Sequence, residues 1–394
     1  MTNNPFDSSV PISPANLAHA VAMIKHYGDV RWGTSDTSDD GTAFDMHDLQ
    51  NRIDHDGVTN TSQFLIDALK AGTLKPEAFS IRQLAECFLP DGLAHVNVIQ
   101  TLNTETTEPL ISVLGAIVEA KVKEAFTHKD FVLAGLVSTI PSHPQGEKVY
   151  PFPFNEDFNG TMLDQSNPNK LALFDSYVDT PGVTHRGLSL AITKEMLLQD
   201  QTHLLLQHAA KVGFAFGISK EQQIIIEVTK ATSETFTFVL NGQLEDFYYS
   251  VENFSAPWGN RMSEPISIES ISAARKQICN NLRGLLLPEH YDIVTTTRND
   301  YLDDDTIKQI DGLSDVRLYQ SVLLTNNLLP IHYNMRNDWY IGDFSRAFAY
   351  MESHGITLNK SDVHVDTSHA ACFDIFEAGA AAAINPFYVV RCNS

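Results

Sequence analysis

The run LSLAITKEMLLQDQTHLLLQHAAKVGFAFGISKEQQIIIEVT, Leu188–Thr229, constrains the fold more than any other part of the chain. Leu197, Leu204, Leu205, Leu206, Ala209, Val212 and Phe216 supply an apolar stripe at helical spacing. The small residues Ala209, Ala210, Gly213, Ala215 and Gly217 leave room for another element to pack closely against that stripe. Thr193 and Asp200 are candidate N-caps, and Ser219 with Gln222 has the spacing of a capping box. These signals predict a long helix and allow it to be broken. A chain committed to such a helix must build its sheets around it.

The chain has 394 residues, 43% hydrophobic and 19% charged, which predicts a globular protein of two or three packed units. Asn16–His26 carries apolar positions at helical spacing. Trp32–Gly57 is loop-like, with Asp36, Asp39, Asp40, Asp45, Asp48, Asp54 and Asp56 in an order that does not match an EF-hand loop. Thr61–Leu69 and Ser80–Phe88 predict short helices. This region is expected to be an extended arm that gains order on a neighbour. Thr107–Phe126 predicts an amphipathic helix, and FVLAGLVSTI a strand.

Pro141–Gly187 is rich in turn formers, with strand-like VYPFPF and KLALFDSYV on either side of NGTMLDQSNPN, and predicts a long two-stranded excursion. Its Tyr150, Phe152, Phe154, Phe158, Leu171, Leu173 and Phe174 would stay wet on a monomer. ETFTFVLNG and DFYYSVENF alternate like strands, and Pro265 introduces a helix with Ile268, Ile271, Ala274, Ile278 and Leu282 on one face. A buried strand follows Pro288, then a short acidic helix in DYLDDDTIKQIDG and a strand in VRLYQSVLLTNNLLP. CFDIFEAGAAAAINPFYVVRC gives two apolar segments broken at Asn385-Pro386, the last strand being expected to return to the long helix.

Charge narrows the class of partner. With 27 basic and 49 acidic residues the net charge is −22, which repels nucleic acid, since affinity for it comes from Lys and Arg displacing phosphate counterions. Cys87, Cys279, Cys372 and Cys392 form no CxxC pair. The N-terminus lacks the pattern of a signal peptide, and no apolar run reaches bilayer length, so a soluble intracellular protein is expected.

Catalytic constellations are missing: no GxSxG, GxGxxG, GxxxxGK[ST] or HExxH occurs. His364, Asp366, His369 and Cys372 are residue types that zinc accepts, but on a strand His364 and Asp366 share a face that His369 and Cys372 need not join, and surface histidines beside a buried cysteine are the plainer explanation. His203 and His208 are five apart and do not share a helix face. Asp303, Asp304 and Asp305 suit a helix start. Trp258 and Trp339 are packing anchors in surroundings too poor in basic residues for base stacking. No catalytic, cofactor-binding or metal residue is therefore assigned, and no enzyme activity is expected.

In order and spacing these segments resemble the major capsid proteins of tailed bacteriophages, the Hong Kong 97 type shared with encapsulin compartments. Thr193, Lys194, Glu195, Met196 and Leu197 match that family's passage from a strand through Ser/Thr-Lys-Glu-Leu-Leu into a spine helix. Pro141–Gly187 is similar to its projecting E-loop, Ser270–Thr297 to its axial-domain helix and central strand, and IFEAGAAAAINPFYVVRC to its closing strands. The likeness runs from Lys129 to Cys392. It implies an α+β fold: an N-terminal arm with short helices over 1–128, E-loop and flanking strands over 129–190, a peripheral domain over 191–240 and 363–394, and an axial domain over 241–362.

The same resemblance implies self-assembly into hexameric and pentameric capsomers of an icosahedral shell. It implies portal, scaffolding and decoration proteins as partners. Double-stranded DNA would be enclosed without specific binding, in a virion capsid assembled in the host cytoplasm with no membrane contact. The first hundred residues lack the charged coiled-coil pattern of a cleaved scaffolding segment. The founding member cross-links an E-loop Lys to a peripheral-domain Asn. Lys148 and Lys170 lie in the excursion and Asn385 near the closing strand, with no pairing implied. An encapsulin-like shell is the alternative of the same fold. An acidic metal-dependent hydrolase using His364, Asp366 and His369 is the alternative from another class.

Overall fold

The computed structural model describes residues 46–89, 107–149, 177–230, 237–240, 243–252, 258–284, 286–325, 337–361 and 369–393. The helix expected at Asn16–His26, the aspartates from Asp36 to Asp45 and the excursion residues 150–176 lie outside them. Two compact units emerge, one of 1–126, 187–216 and 356–376, the other of 127–186, 217–355 and 377–394.

The first unit is built on helices. Met46–Asp56, Val58–Lys70, Ile81–Phe88 and Glu108–Phe126 share one core with the start of the long helix, Thr202–Lys230. Met46–Asp56 falls where the sequence suggests a loop. Leu49 and Ile53, one turn apart, are both buried, and that contact outweighs the polar composition around them. Leu65, Leu69, Ile81, Leu84 and Phe88 enter the same core, so the helices from residue 46 to 88 are packed within this unit instead of awaiting a neighbour. Helix Glu108–Phe126 is amphipathic as expected, with Leu110, Val113, Leu114, Ile117, Val118 and Val122 buried along one broad face. Even Lys121 is buried there, its ammonium donating to Glu77 at 2.5 Å and Glu124 at 2.8 Å.

The entry to the long helix follows the sequence closely. Strand β4 (Thr184–Thr193) ends at Thr193, whose side chain accepts from the Met196 amide and caps the short helix Lys194–Leu198. Asp200 then takes a left-handed turn, φ 53. Its carboxylate accepts from Ser80 Oγ at 2.8 Å and Thr202 Oγ at 2.7 Å, while the Ile81 amide donates to Thr202 Oγ at 2.9 Å. Two helix starts are thereby fastened to each other; burial, the largest single effect, raises the Asp200 carboxyl, but these bonds to the charged form together outweigh it and hold the pKa below its ordinary value. Beyond this point the helix is unbroken. Ser219 and Gln222 lie inside it, because Ile224, Ile225 and Val228 continue the buried stripe past them.

The second unit holds most of the β structure. A five-stranded sheet runs in the order β7 (Arg261–Met262), β13 (Val389–Cys392), β10 (Trp339–Gly342), β8 (Tyr291–Thr296), β9 (Val316–Ser321). Every residue of β10 is buried, as expected for a central strand. Helix Ile268–Asn281 starts at a Ser267/Ser270 capping box and turns Ile271, Ala274 and Ile278 inward. Helix Asp304–Asp311 is capped by Asp303. The last strand joins this sheet through β7 and β10, and its Arg391 reaches the long helix by donating to the Thr229 carbonyl at 2.9 Å.

A second sheet has the order β1 (Ser138–Pro141), β11 (Phe348–Lys360), β12 (His369–Ala383), β4. The third sheet is β2 (Lys148–Val149), β3 (Tyr177–Asp179), β5 (Thr237–Leu240), β6 (Gln243–Glu245). Two segments depart from expectation. Val132–Leu136 is a single helical turn between Phe131 and β1, capped by a distant carboxylate described below. Among the described residues 246–252 the aromatic stretch after β6 forms no continuous strand: Phe247 is fully buried against Phe348 and Tyr248, and Trp258 meets Tyr249, so ring packing directs that backbone.

The small residues of the long helix have the role their pattern suggests. A Cβ on Gly213 would lie 2.1 Å from the Val122 carbonyl oxygen, so the helix pair in the first unit can cross this closely only at glycine. Gly213→Ala is expected to cost about 2–4 kcal/mol in urea unfolding, since neither backbone can yield cheaply. Gly135→Ala, where a Cβ meets nothing within 4 Å, is the control and should be neutral or slightly stabilising. Equal effects of the two would refute the close crossing.

Candidate functional site

The structure places the sequence candidates apart. His203 and His208 are exposed on the long helix, and partial burial, with the Lys211 charge adding to it, holds His208 below its ordinary pKa. His369 begins β12 and Cys372 is buried three residues later, a spacing that points them to opposite faces. His364 and Asp366 lie outside the described residues. Among the described residues no three His, Cys, Asp or Glu side chains gather as a metal site would require. Trp258 and Trp339 are buried and donate their indole N–H groups to the carbonyls of Phe247 and Glu264, as packing anchors do. Asn385 is buried and accepts from the Phe387 amide at 3.0 Å, capping the turn before β13.

Where the excursion leaves the body, the geometry is defined. Lys148 pairs with Asp179 and Val149 with Val178 in an antiparallel register, so the chain departs at 149 and returns at 177 on neighbouring strands. Lys148 Nζ sits 3.8 Å over the Tyr177 ring, a cation–π contact that closes this stem. Thr180 exchanges two hydrogen bonds with Glu147, and Gly146 takes φ 80 where a Cβ would lie 2.3 Å from the Thr180 carbonyl oxygen. The β3–β5 and β5–β6 pairings then extend the stem into a four-stranded sheet. Two strands alone would be marginal; four give the stem a base.

Buried charge lies beside the second half of the long helix. Arg186 donates to Glu377 and to Tyr350, and Tyr350 in turn donates to Glu377, so one carboxylate that is almost fully buried receives two donors. Burial pushes the Tyr350 hydroxyl well above its ordinary pKa, with Glu377 adding to the effect and Arg186 opposing it. Lys220, itself buried, lies 4.3 Å from the Tyr350 ring centre; desolvation lowers its pKa while Glu352 and Glu377 resist. Next to it, Glu221 accepts from the amides of Leu133 at 2.9 Å and Ala134 at 2.6 Å, capping the Val132–Leu136 turn across a long stretch of chain. Burial pushes its pKa up to about 7, against the pull of those two amides and of Lys220.

Such a cluster could suggest acid–base chemistry, yet Arg186, Tyr350 and Glu377 are bonded to one another and Glu221 to the Leu133 and Ala134 amides. It works as an internal clamp. The sequence signal for it was a lone charge inside an apolar run, as with Glu377 in IFEAGAAAA, which alternation patterns do not weigh.

Several large apolar side chains remain exposed. Leu188 and Phe376 are 44% and 42% exposed in the first unit, where the Phe376 ring lies against Gly187. In the second unit Leu286 is 52% and Leu287 40% exposed, on a loop where Arg283, Gly284 and Leu286 all take left-handed φ. An aliphatic residue in that region costs on the order of 1–2 kcal/mol. Arg346, donating to the Leu286 carbonyl at 3.1 Å and paired with Asp343 at 3.2 Å, holds the loop in place.

No protein-family model matches this sequence, and no curated protein matches it. Solved structures with a similar course of chain include the virus-like particle from Pyrococcus furiosus, 13% identical with a TM-score of 0.40, covering 70% of this chain and 97% of that one. A phage-related protein from Bordetella bronchiseptica is 8% identical with a TM-score of 0.42, covering 70% of this chain and 95% of that one. The capsid of an empty GTA particle is 10% identical with a TM-score of 0.40, covering 67% of this chain and 90% of that one.

The clamp makes a direct prediction. Arg186→Met leaves the Glu377 carboxylate buried without its cation and should cost about 3–5 kcal/mol in urea unfolding. The double change Arg186→Met, Glu377→Met should recover much of that loss. A double variant as weak as the sum of the singles would mean the pair does not act as a unit.

Proposed function

We propose that this chain is a major capsid protein of a tailed virus, with a Hong Kong 97-type fold, that assembles into hexameric and pentameric capsomers of a closed shell around double-stranded DNA. On this reading 191–240 with 363–394 form the peripheral domain, 241–362 the axial domain whose sheet β13 shares, and Pro141–Gly187 the E-loop. Portal, scaffolding and decoration proteins would be its further partners, and it would carry out no catalysis.

The observation that carries the proposal is the closed stem at Lys148–Val149 and Tyr177–Asp179. It returns an aromatic-rich segment, whose Phe152, Phe154 and Phe158 need cover, to the point where it left. A neighbouring copy supplies that cover, and repetition of one such contact over a shell gives stability through multivalency. The strained loop that exposes Leu286 and Leu287 is explained in the same way, as surface kept for association instead of for the monomer's own stability. A net charge of −22 suits a wall past which DNA moves without sticking.

Replacing residues 150–176 by Asn-Gly, which with Tyr177 makes a three-residue connection between the paired Val149 and Val178, separates the body from its excursion. The variant is expected to keep the wild-type melting temperature within about 3 °C, because the stem pairing is retained. It should form no closed particles under conditions in which the wild type does. Particles of normal size and yield from the truncated chain would overturn the role given to this segment.

A further inference from the structure

Among the described residues of the second unit, the large apolar side chains left most exposed are Leu286 and Leu287, at 52% and 40%, with Tyr301 and Val322, at 47% and 43%. All four flank one pair of strands. β8 and β9 run parallel, Tyr291 beside Val316 and Thr296 beside Ser321. Leu286 and Leu287 precede the start of β8. Tyr301 follows its end, and Val322 follows the end of β9. The six residues of β8 therefore hold the two apolar pairs about 20 Å apart, at opposite ends of the strand pair.

A single exposed aliphatic side chain is ordinary on any protein. These differ in being held outward by polar bonds. At the first end the Gly284 amide donates to the Cys279 carbonyl at 2.9 Å and Arg346 to the Leu286 carbonyl at 3.1 Å, which keeps Leu286 in its left-handed conformation. At the second end the buried Asn299 accepts from the Tyr301 amide and donates to Thr295 Oγ1, both at 3.0 Å, while Asn337 accepts from the Asp300 amide at 3.1 Å. Both loops are thus pre-organised, which lowers the entropy that a contact must overcome.

Charge says which ends can meet. Residues 298–305 set Arg298 against Asp300, Asp303, Asp304 and Asp305, so two copies of the second end repel each other. The first end is balanced: Arg283 and Arg346 stand with Glu289 and Asp343. It offers that acidic end two guanidinium groups beside two leucines.

We propose that the two ends are the halves of one head-to-tail interface, the Leu286 and Leu287 loop of one copy seating against Tyr301 and Val322 of the next. A contact between different surfaces of identical chains propagates, and it closes into a ring where its rotation closes. The interface deepens the capsid reading, on which it rests, by naming surfaces through which neighbours in one capsomer meet.

Two variants of the full chain separate the halves. Leu286→Asn with Leu287→Asp disables the first end, and asparagine tolerates the left-handed φ at position 286. Tyr301→Asp with Val322→Asp disables the second. Both should melt within about 3 °C of the wild type, because the replaced groups are exposed. Where a pair melts earlier, Leu287→Ser and Val322→Ser replace it with the same readings.

By light scattering and analytical ultracentrifugation, each variant alone should associate about tenfold more weakly than the wild type, or worse. Mixed in equal amounts they should form dimers well beyond either alone and no rings, since one intact end of each remains to meet the other. Rings or particles at wild-type yield from either variant would overturn the interface and leave the capsid reading standing. Dimers from the second variant alone would mean that the first end meets its own copy, and a mixture no more associated than its components would also refute the pairing. A wild type that stays monomeric throughout would remove the capsid reading and the interface together.

Discussion

The close crossing of the long helix over Glu108–Phe126 at Gly213 is the constraint on which the first unit rests. With the Gly213 Cα almost against the Val122 carbonyl, both helices bury apolar groups along their length, and the core from Leu49 to Ile375 closes around them. The start of the helix is fixed with equal care. The Asp200 carboxylate links Ser80, the N-cap of helix Ile81–Phe88, to Thr202, the first residue of the long helix, which sets where the axis begins. From there the helix continues into the second unit without a break.

In that unit the apolar stripe of the helix is interrupted by charged residues. Lys220, Glu221 and Glu227 would be liabilities in a core built only for stability, because buried charge rarely repays its desolvation. Two of them are put to structural use. Glu221 defines the turn at Val132–Leu136, just ahead of β1 and the excursion stem, and Lys220 lies against Tyr350, which Arg186 and Glu377 hold in place. Polar bonds of this kind are directional, where apolar contacts are not. They fix the register of β4, β11 and β12 residues against the helix more sharply than packing alone would.

Much of this was legible in the sequence, and the exceptions share a cause. Thr193, Ser80, Ser267 and Asp303 cap the helices their patterns announce, and the break at Asn385-Pro386 separates β12 from β13 as expected. Local signals misled where distant contacts prevail. Ser219 and Gln222 have capping-box spacing, yet Ile224, Ile225 and Val228 are buried and carry the helix through. Met46–Asp56 looks like solvated loop until Leu49 and Ile53 find a core formed by residues much later in the chain. The clamp joins positions 186, 220, 350 and 377, which no local window spans, and Val132–Leu136 owes its helical turn to a carboxylate from position 221.

A tightly specified interior stands beside surfaces that are strained, apolar and exposed, the surfaces that the proposed capsid role gives to copies of the same chain. Electron microscopy of the purified full-length protein, with light scattering for mass, tests this most directly. Closed particles of uniform diameter, or rings of five and six subunits that close when a scaffold is added, are the predicted result. A monodisperse monomer at every protein concentration and ionic strength tried would contradict it.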